Sequence, residues 1–179
     1  MSTQSGYIGP RRSLVDRAIG CARLDAGAFE EVEADETATS QAAAIVFLAA
    51  VASGIGNINE GIVTAIVSIV MAFVAWILWS VITYFVGVNV FKGTATVGEL
   101  LRTLGFAQAP GVLYILGIIP FLGGLVSFAV AIWILIAGII AIRQALDIST
   151  GKAVITAIIG WLVLVIPMMM IGGIVAAIT

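Results

Sequence analysis

Five apolar runs separated by short polar connections restrict what this chain can fold into. They cover approximately residues 41–56, 62–91, 103–119, 125–142 and 153–178. About 20 apolar residues suffice for a helix to cross a bilayer. The second run, at 1.5 Å per residue, is about 45 Å long against a hydrocarbon core of ~30 Å, so it tilts or projects. The fold class this predicts is an all-α membrane protein, a bundle of five transmembrane helices. Residues 1–40 form a tail ahead of it, and residues 41–179 form the membrane domain.

The basic residues supply the threading, because they concentrate on the cytoplasmic side. Arg11, Arg12, Arg17, Arg23, Lys92, Arg102, Arg143 and Lys152 are all the basic residues of the chain. Each lies in the tail, in 92–102 or in 143–152. The turns at 57–61 and 120–124 and the C-terminus hold none. The expectation is a cytoplasmic N-terminus, an external C-terminus and outer turns too short for a soluble domain.

Within the tail, Leu14, Val15, Ala18, Ile19 and Ala22 form a narrow stripe at helical spacing, with Asp16, Arg17 and Arg23 opposite. This predicts an amphipathic helix that lies in the membrane interface, packs on the ends of the bundle, or does both. The run Glu30, Glu31, Glu33, Asp35 and Glu36 lacks calcium-loop spacing and reads as a solvated acidic face. Phe29 and Val32 are placed to dock beside the first helix. Arg11-Arg12 is not followed by the apolar region that a twin-arginine export signal requires.

Composition narrows the function. There is no histidine and a single cysteine, Cys21, which reads as a small buried hydrophobe. Intramolecular disulfides and the usual Cys/His metal ligand sets are therefore excluded. No cofactor is expected. No basic stripe interleaved with aromatics suggests nucleic acid as a partner. The interiors of the runs carry no Asp, Glu, Lys or Arg. Membrane pumps and proton relays need such groups at depth, and a nucleophile needs a base. The expectation is a protein that is not an enzyme.

The stretch Glu99–Ile119 is the exception within this plain pattern. It carries Gln108 two residues before Pro110, whose missing N–H frees the carbonyl of Phe106. Gln108 reads either as interhelical glue or as a polar contact for a ligand at a broken helix. Pro167 breaks the fifth run in the same manner. Glu99, Arg102, Arg143, Asp147 and Lys152 cluster on the inner face. Glu99 and Arg102 are spaced to pair, as are Arg143 and Asp147. They read as an ion-pair layer at the end of the bundle, or as a docking surface for protein or anionic lipid. Trp76, Trp79, Trp133 and Trp161 lie within the runs and read as packing or lipid-facing bulk.

The residues from Gly93 through Glu99-Leu-Leu-Arg102, Gly105 and Ala109-Pro110 resemble the Yip1 domain family. So do Trp133, Ala145, Lys152-Ala153 and the lead-in Leu24-Asp25 with Phe29. The resemblance implies a five-span protein with a cytoplasmic N-terminal tail, of the compact prokaryotic type and in the cell (inner) membrane. Eukaryotic relatives bind Rab-type GTPases and associate with one another. Their long N-terminal region has no counterpart in this short tail, so GTPase binding is not carried over. The partners expected are the lipid bilayer and other membrane proteins, including a second copy. The leading function is a membrane organiser or scaffold. The alternatives are a small transporter or channel at the broken helices around Pro110 and Pro167, and an accessory subunit of a larger membrane complex.

Overall fold

The structure is a computed structural model that describes residues 12–58, 61–119 and 121–163. Pro167 and the second half of the fifth run lie outside them, as do Arg11 and Pro120. Among the described residues the chain is helical and contains no strand. Two short helices come first, α1 (Leu14–Ala22) and α2 (Ala26–Ala34). The long helices α3 (Ala38–Gly56) and α4 (Ile62–Asn89) follow. Next comes α5 (Val97–Phe106), continued by a 3-10 helix (Ala109–Ile118). The last described elements are α6 (Gly123–Leu146) and α7 (Thr150–Val163).

Helices α3 and α6, and α4 from Ala65, are long and apolar enough to cross a membrane. Helix α5 and the 3-10 helix together qualify as one further span, bent by 42°. The α-helix stops at Phe106, before Pro110, with turn residues at Ala107 and Gln108. Proline disfavours the α conformation at the residue before it, which moves the break upstream. The freed backbone groups turn to shorter partners: Gln108 N donates to Gly105 O at 3.1 Å, and Gly111 N to Gln108 O at 2.8 Å.

Two ends differ from the sequence expectation. Helix α6 runs to Leu146, so Arg143 is on the helix rather than in a connection. Helix α5 begins at Val97, because Thr96 and Glu99 form a capping box: Thr96 Oγ1 accepts from Glu99 N, and Glu99 Oε2 accepts from Thr96 N. Arg102 is thereby drawn into a buried helical face with Leu100, Leu104 and Phe106.

A seam of small residues joins α3 to α5 and the 3-10 helix. A methyl group built on Gly105 would come 2.6 Å from Ala42 Cβ, and one on Gly111 would come 2.8 Å from Ala49 Cβ. One on Gly117 would lie 3.3 Å from Gly56 Cα. The α3 members recur every seven residues and their partners every six. Seven residues of α3 rise about 10.5 Å, and the six from Gly111 to Gly117 in the 3-10 helix rise about 12 Å, so the two rows keep step there. Lipid offers no hydrophobic drive between helices, so such close contact carries the packing.

Gly111→Ala should therefore destabilise the protein by roughly 1–3 kcal/mol through overpacking. Adding Ala49→Gly, which moves the methyl back across the seam, should recover most of the loss. Thermal unfolding of the two single variants and the double variant in micelles measures this coupling, and strictly additive effects would contradict the seam.

Candidate functional site

The α1–α2 hairpin is held together by ions expected from the sequence to lie in solvent. Ser13 caps α1 by accepting from Asp16 N, and Asp25 caps α2 by accepting from Gly27 N. The face α1 turns inward carries Arg17 and Cys21, four residues apart. Arg17 is only 2% exposed. Its Nε donates to Glu31 Oε1 at 3.0 Å, and its Nη1 meets Asp35 Oδ2 at 2.8 Å and Gln41 Oε1 at 3.3 Å. Arg12 adds contacts to Asp25 at 2.9 Å and to Glu31 at 3.5 Å. Two members of the expected solvated acidic face, Glu31 and Asp35, are thus nearly buried, with side chains 8% and 12% exposed. A buried guanidinium requires such partners. Val15 and Ile19, assigned to the packing stripe, are exposed, while Phe29 and Val32 are fully buried as expected.

The inner-face residues are also placed differently from their expected pairs. Arg102 does not pair with Glu99, whose carboxylate caps α5. Its Nε donates to the carbonyls of Val32 and Glu33, and its Nη2 also donates to Glu33 O. It thereby satisfies the last turn of α2 and complements the negative end of that helix. Arg143 donates to Gln144 Oε1 rather than to Asp147, because Asp147 leaves the helix in the left-handed region and accepts from Thr94 Oγ1. Lys152 is exposed at the start of α7.

Trp133, expected as packing or lipid-facing bulk, is 39% exposed and also makes a polar contact. Its indole N–H donates to Ala22 O at 2.7 Å, although it stands near the middle of α6. Further along the same helix, Gln144 donates to Glu30 Oε1 at 2.7 Å. The hairpin therefore runs along the last three turns of α6, and its tip, Arg23–Asp25, reaches the middle of that helix. Only a contact between distant elements defines this, and no spacing within one run signals it.

Gln108 lies near the middle of the bundle, about 18 Å along the chain axis from Thr96. Its carboxamide makes no hydrogen bond among the described residues and lines a cavity of about 740 Å³. Ser53 and Tyr114 also reach this cavity. The remaining lining is apolar, and its outward rim is Phe128, Ile132, Leu135, Ile158 and Trp161, all exposed. Trp79 also lines it, and its indole nitrogen is buried without a partner. The interhelical-glue reading of Gln108 is not realised among these residues. No group of His, Cys, Asp or Glu suited to a metal occurs among them either.

Burial pushes the Cys21 thiol up to about 12, which leaves it an inert packing group. Burial also pushes the half-buried Glu33 carboxyl up to about 7, helped by Glu99, Asp147 and Glu30 and opposed by Arg102. The folded protein thus holds this proton more tightly than the unfolded chain, whose value is near 4.5. The resulting stability is fully present below the unfolded value and is lost as pH rises through about 7. Asp25 and Asp35 behave oppositely. The hydrogen bond from Arg12 holds Asp25 low, and that from Thr37 holds Asp35 low, so their contribution fades in acid. Glu33→Gln should raise stability near pH 8 by about 1 kcal/mol, after allowance for solvent screening, with little effect near pH 5. Melting curves at the two pH values check this, and an equal gain at both would contradict it. Arg17→Met, which strands Glu31 and Asp35, should cost about 3–5 kcal/mol.

Comparison with known proteins adds one match. Neither the curated proteins nor the solved structures give one. The family model described as the Yip1 domain matches residues 26–171, from the first turn of α2 past the end of the described α7. That span includes the seam, Arg102, Gln108 and Trp133. The chain belongs to the Yip1 domain family.

Proposed function

We propose that this is a non-enzymatic, five-span membrane protein that organises or scaffolds its membrane by self-association or by binding other membrane proteins. Its N-terminal hairpin is a cytoplasmic interfacial platform, its C-terminus is external, and its host is a prokaryotic cell membrane. One observation carries this reading. Hydrogen bonds from Arg102 of α5 and from Trp133 and Gln144 of α6 hold the hairpin to the bundle, and ion pairs between α1 and α2 hold the hairpin together, so a stretch of tail becomes a fixed surface. Arg102 and Glu99 act as positioning residues inside that platform. Arg143 and Asp147 fix the end of α6 beside the loop after α4, where Thr94 N donates to Leu146 O at 3.1 Å. The exposed cations Arg23, Lys92 and Lys152 are the groups left to meet a partner.

The cavity beside Gln108 favours a second reading, a small transporter or channel. An unpartnered carboxamide in an apolar, laterally rimmed cavity is a polar contact awaiting a ligand. Pro110 sets the helix break that exposes it, and Pro167 is the corresponding break expected in the last span.

Crosslinking in native membranes separates the two readings. The scaffold reading expects a discrete adduct, either a dimer or a complex with one protein at fixed ratio, that weakens several-fold in an Arg23→Glu, Lys152→Glu double variant. A protein that stays monomeric and partner-free defeats it. The transport reading expects solute flux in liposomes that Gln108→Ala reduces. A reporter fused to the C-terminus should give an external signal.

A further inference from the structure

Helix α6 is apolar along its length and qualifies as a membrane span, yet the tip of the hairpin lies against its midpoint. From Asp147, at the charged end, to Trp133 is about 21 Å along the helix. The half-thickness of a hydrocarbon core is only about 15 Å. The open face of α1, from its first turn to the tip, carries a shallow groove lined by Arg12, Asp16, Ile19, Gly20, Arg23 and Asp25. Asp16, Arg23 and Asp25 are exposed there. Helix α1 also touches the 3-10 helix beyond Gln108, which places the tip at mid-depth by a second route. On the opposite side of α6, Leu135 is 45% exposed at almost the same height. Leu135 is two residues beyond Trp133 and about 200° round the helix. One side of the span thus presents ions at the level where the other presents an aliphatic side chain.

We propose that the inner leaflet is indented on the hairpin side, so that phospholipid headgroups and water reach the level of Trp133 there, while hydrocarbon covers Leu135 at the same height. The surface that receives the headgroups is the open face of α1. It suits zwitterionic headgroups, because two arginines and two aspartates line its groove. The Trp133 indole joins α6 to the backbone of Ala22 at the boundary, with its ring toward lipid and its N–H toward the polar tip. This inference rests on the cytoplasmic hairpin of the proposed function and adds its depth and the lipid that meets it.

Single cysteines at Arg23 and at Leu135, in a Cys21→Ala background, carry a nitroxide in phosphatidylcholine–phosphatidylglycerol vesicles. Collision with a water-soluble nickel chelate is compared with collision by oxygen. The nickel-to-oxygen ratio at position 23 should exceed that at position 135 by about tenfold, as expected for headgroup against hydrocarbon. Two polar labels would mean that the end of α6 simply stands in water, and two apolar labels would mean that the ions sit in hydrocarbon. Either result overturns the indentation. A parallel Glu30→Cys, Gln144→Cys variant treated with a flexible bismaleimide crosslinker tests docking, since the ends of the two long side chains meet in the structure at 2.7 Å. The crosslink should form readily. Failure to form while the nitroxide variants fold would show the hairpin undocked, defeating the platform as well as the indentation.

Discussion

The small-residue seam is the constraint on which the rest of the structure depends. It lets α3 approach α5 and the 3-10 helix to backbone distance, and this contact holds a broken span in place. With the seam closed, the first turns of α5 stand beside the end of α2, within reach of Arg102. Arg102 then satisfies the final carbonyls of α2, and α2 presents Glu31 and Asp35 to Arg17. The buried ions are therefore downstream of a packing event between residues with almost no side chain. In lipid, where apolar surface gains little by meeting other apolar surface, such contact is the available source of adhesion.

Placing charge beside a membrane span has a cost, and the comparison of magnitudes decides how the system responds. A charged side chain at the bilayer centre costs about 2.5–3.5 kcal/mol on insertion scales, so the four ions at the hairpin tip would cost about 10 kcal/mol. Deforming a bilayer costs fractions of a kcal/mol per Å of mismatch. The leaflet moves inward by about 21 Å, from Asp147 to Trp133, to bring headgroups to the tip, and at fractions of a kcal/mol per Å this costs several kcal/mol, less than leaving the ions in hydrocarbon. The Arg12–Asp25 pair, with side chains 33% and 45% exposed, gains little by itself and keeps its solvent. Arg17 has no such route. It is enclosed, and it stays charged because its bonds to Asp35 and Glu31 outweigh the burial that opposes it.

How much of this was legible in the residues follows from where each signal lives. The runs, the break near Pro110 and the segregation of basic residues are properties of contiguous sequence, and helices occur at each run among the described residues. The burial of Arg17 was not legible, because an arginine beside exposed positions of an amphipathic stripe looks solvated until its acidic partners, 14 and 18 residues away, fold onto it. The polar contact of Trp133 was not legible, because its partner lies 111 residues away. The seam was not legible because no single helical spacing marks it: its α3 members recur every seven residues and their partners every six. The expected pairs of Glu99 with Arg102 and of Arg143 with Asp147 have correct helical spacing. Each lost to a competing bond: a capping box, two helix-end carbonyls and a left-handed cap.

Arg102 and Gln108, six residues apart on the same broken span, show how this molecule divides structure from function. Arg102 could not remain unpaired in its buried position, and the exposed carbonyls of α2 give it three short contacts. An arginine so committed holds the fold. Gln108 stands just past the break, where the change from α to 3-10 geometry turns its carboxamide away from neighbouring backbone and into the cavity. A neutral amide tolerates this, since leaving it unpaired costs about 1–3 kcal/mol in protein interiors, far less than an isolated buried charge. A purely architectural helix break would be served as well by an apolar residue at this position, which would avoid that cost. That cost is offset when something with a donor or acceptor enters the cavity, and this is the physical ground for proposing Gln108 as a ligand contact.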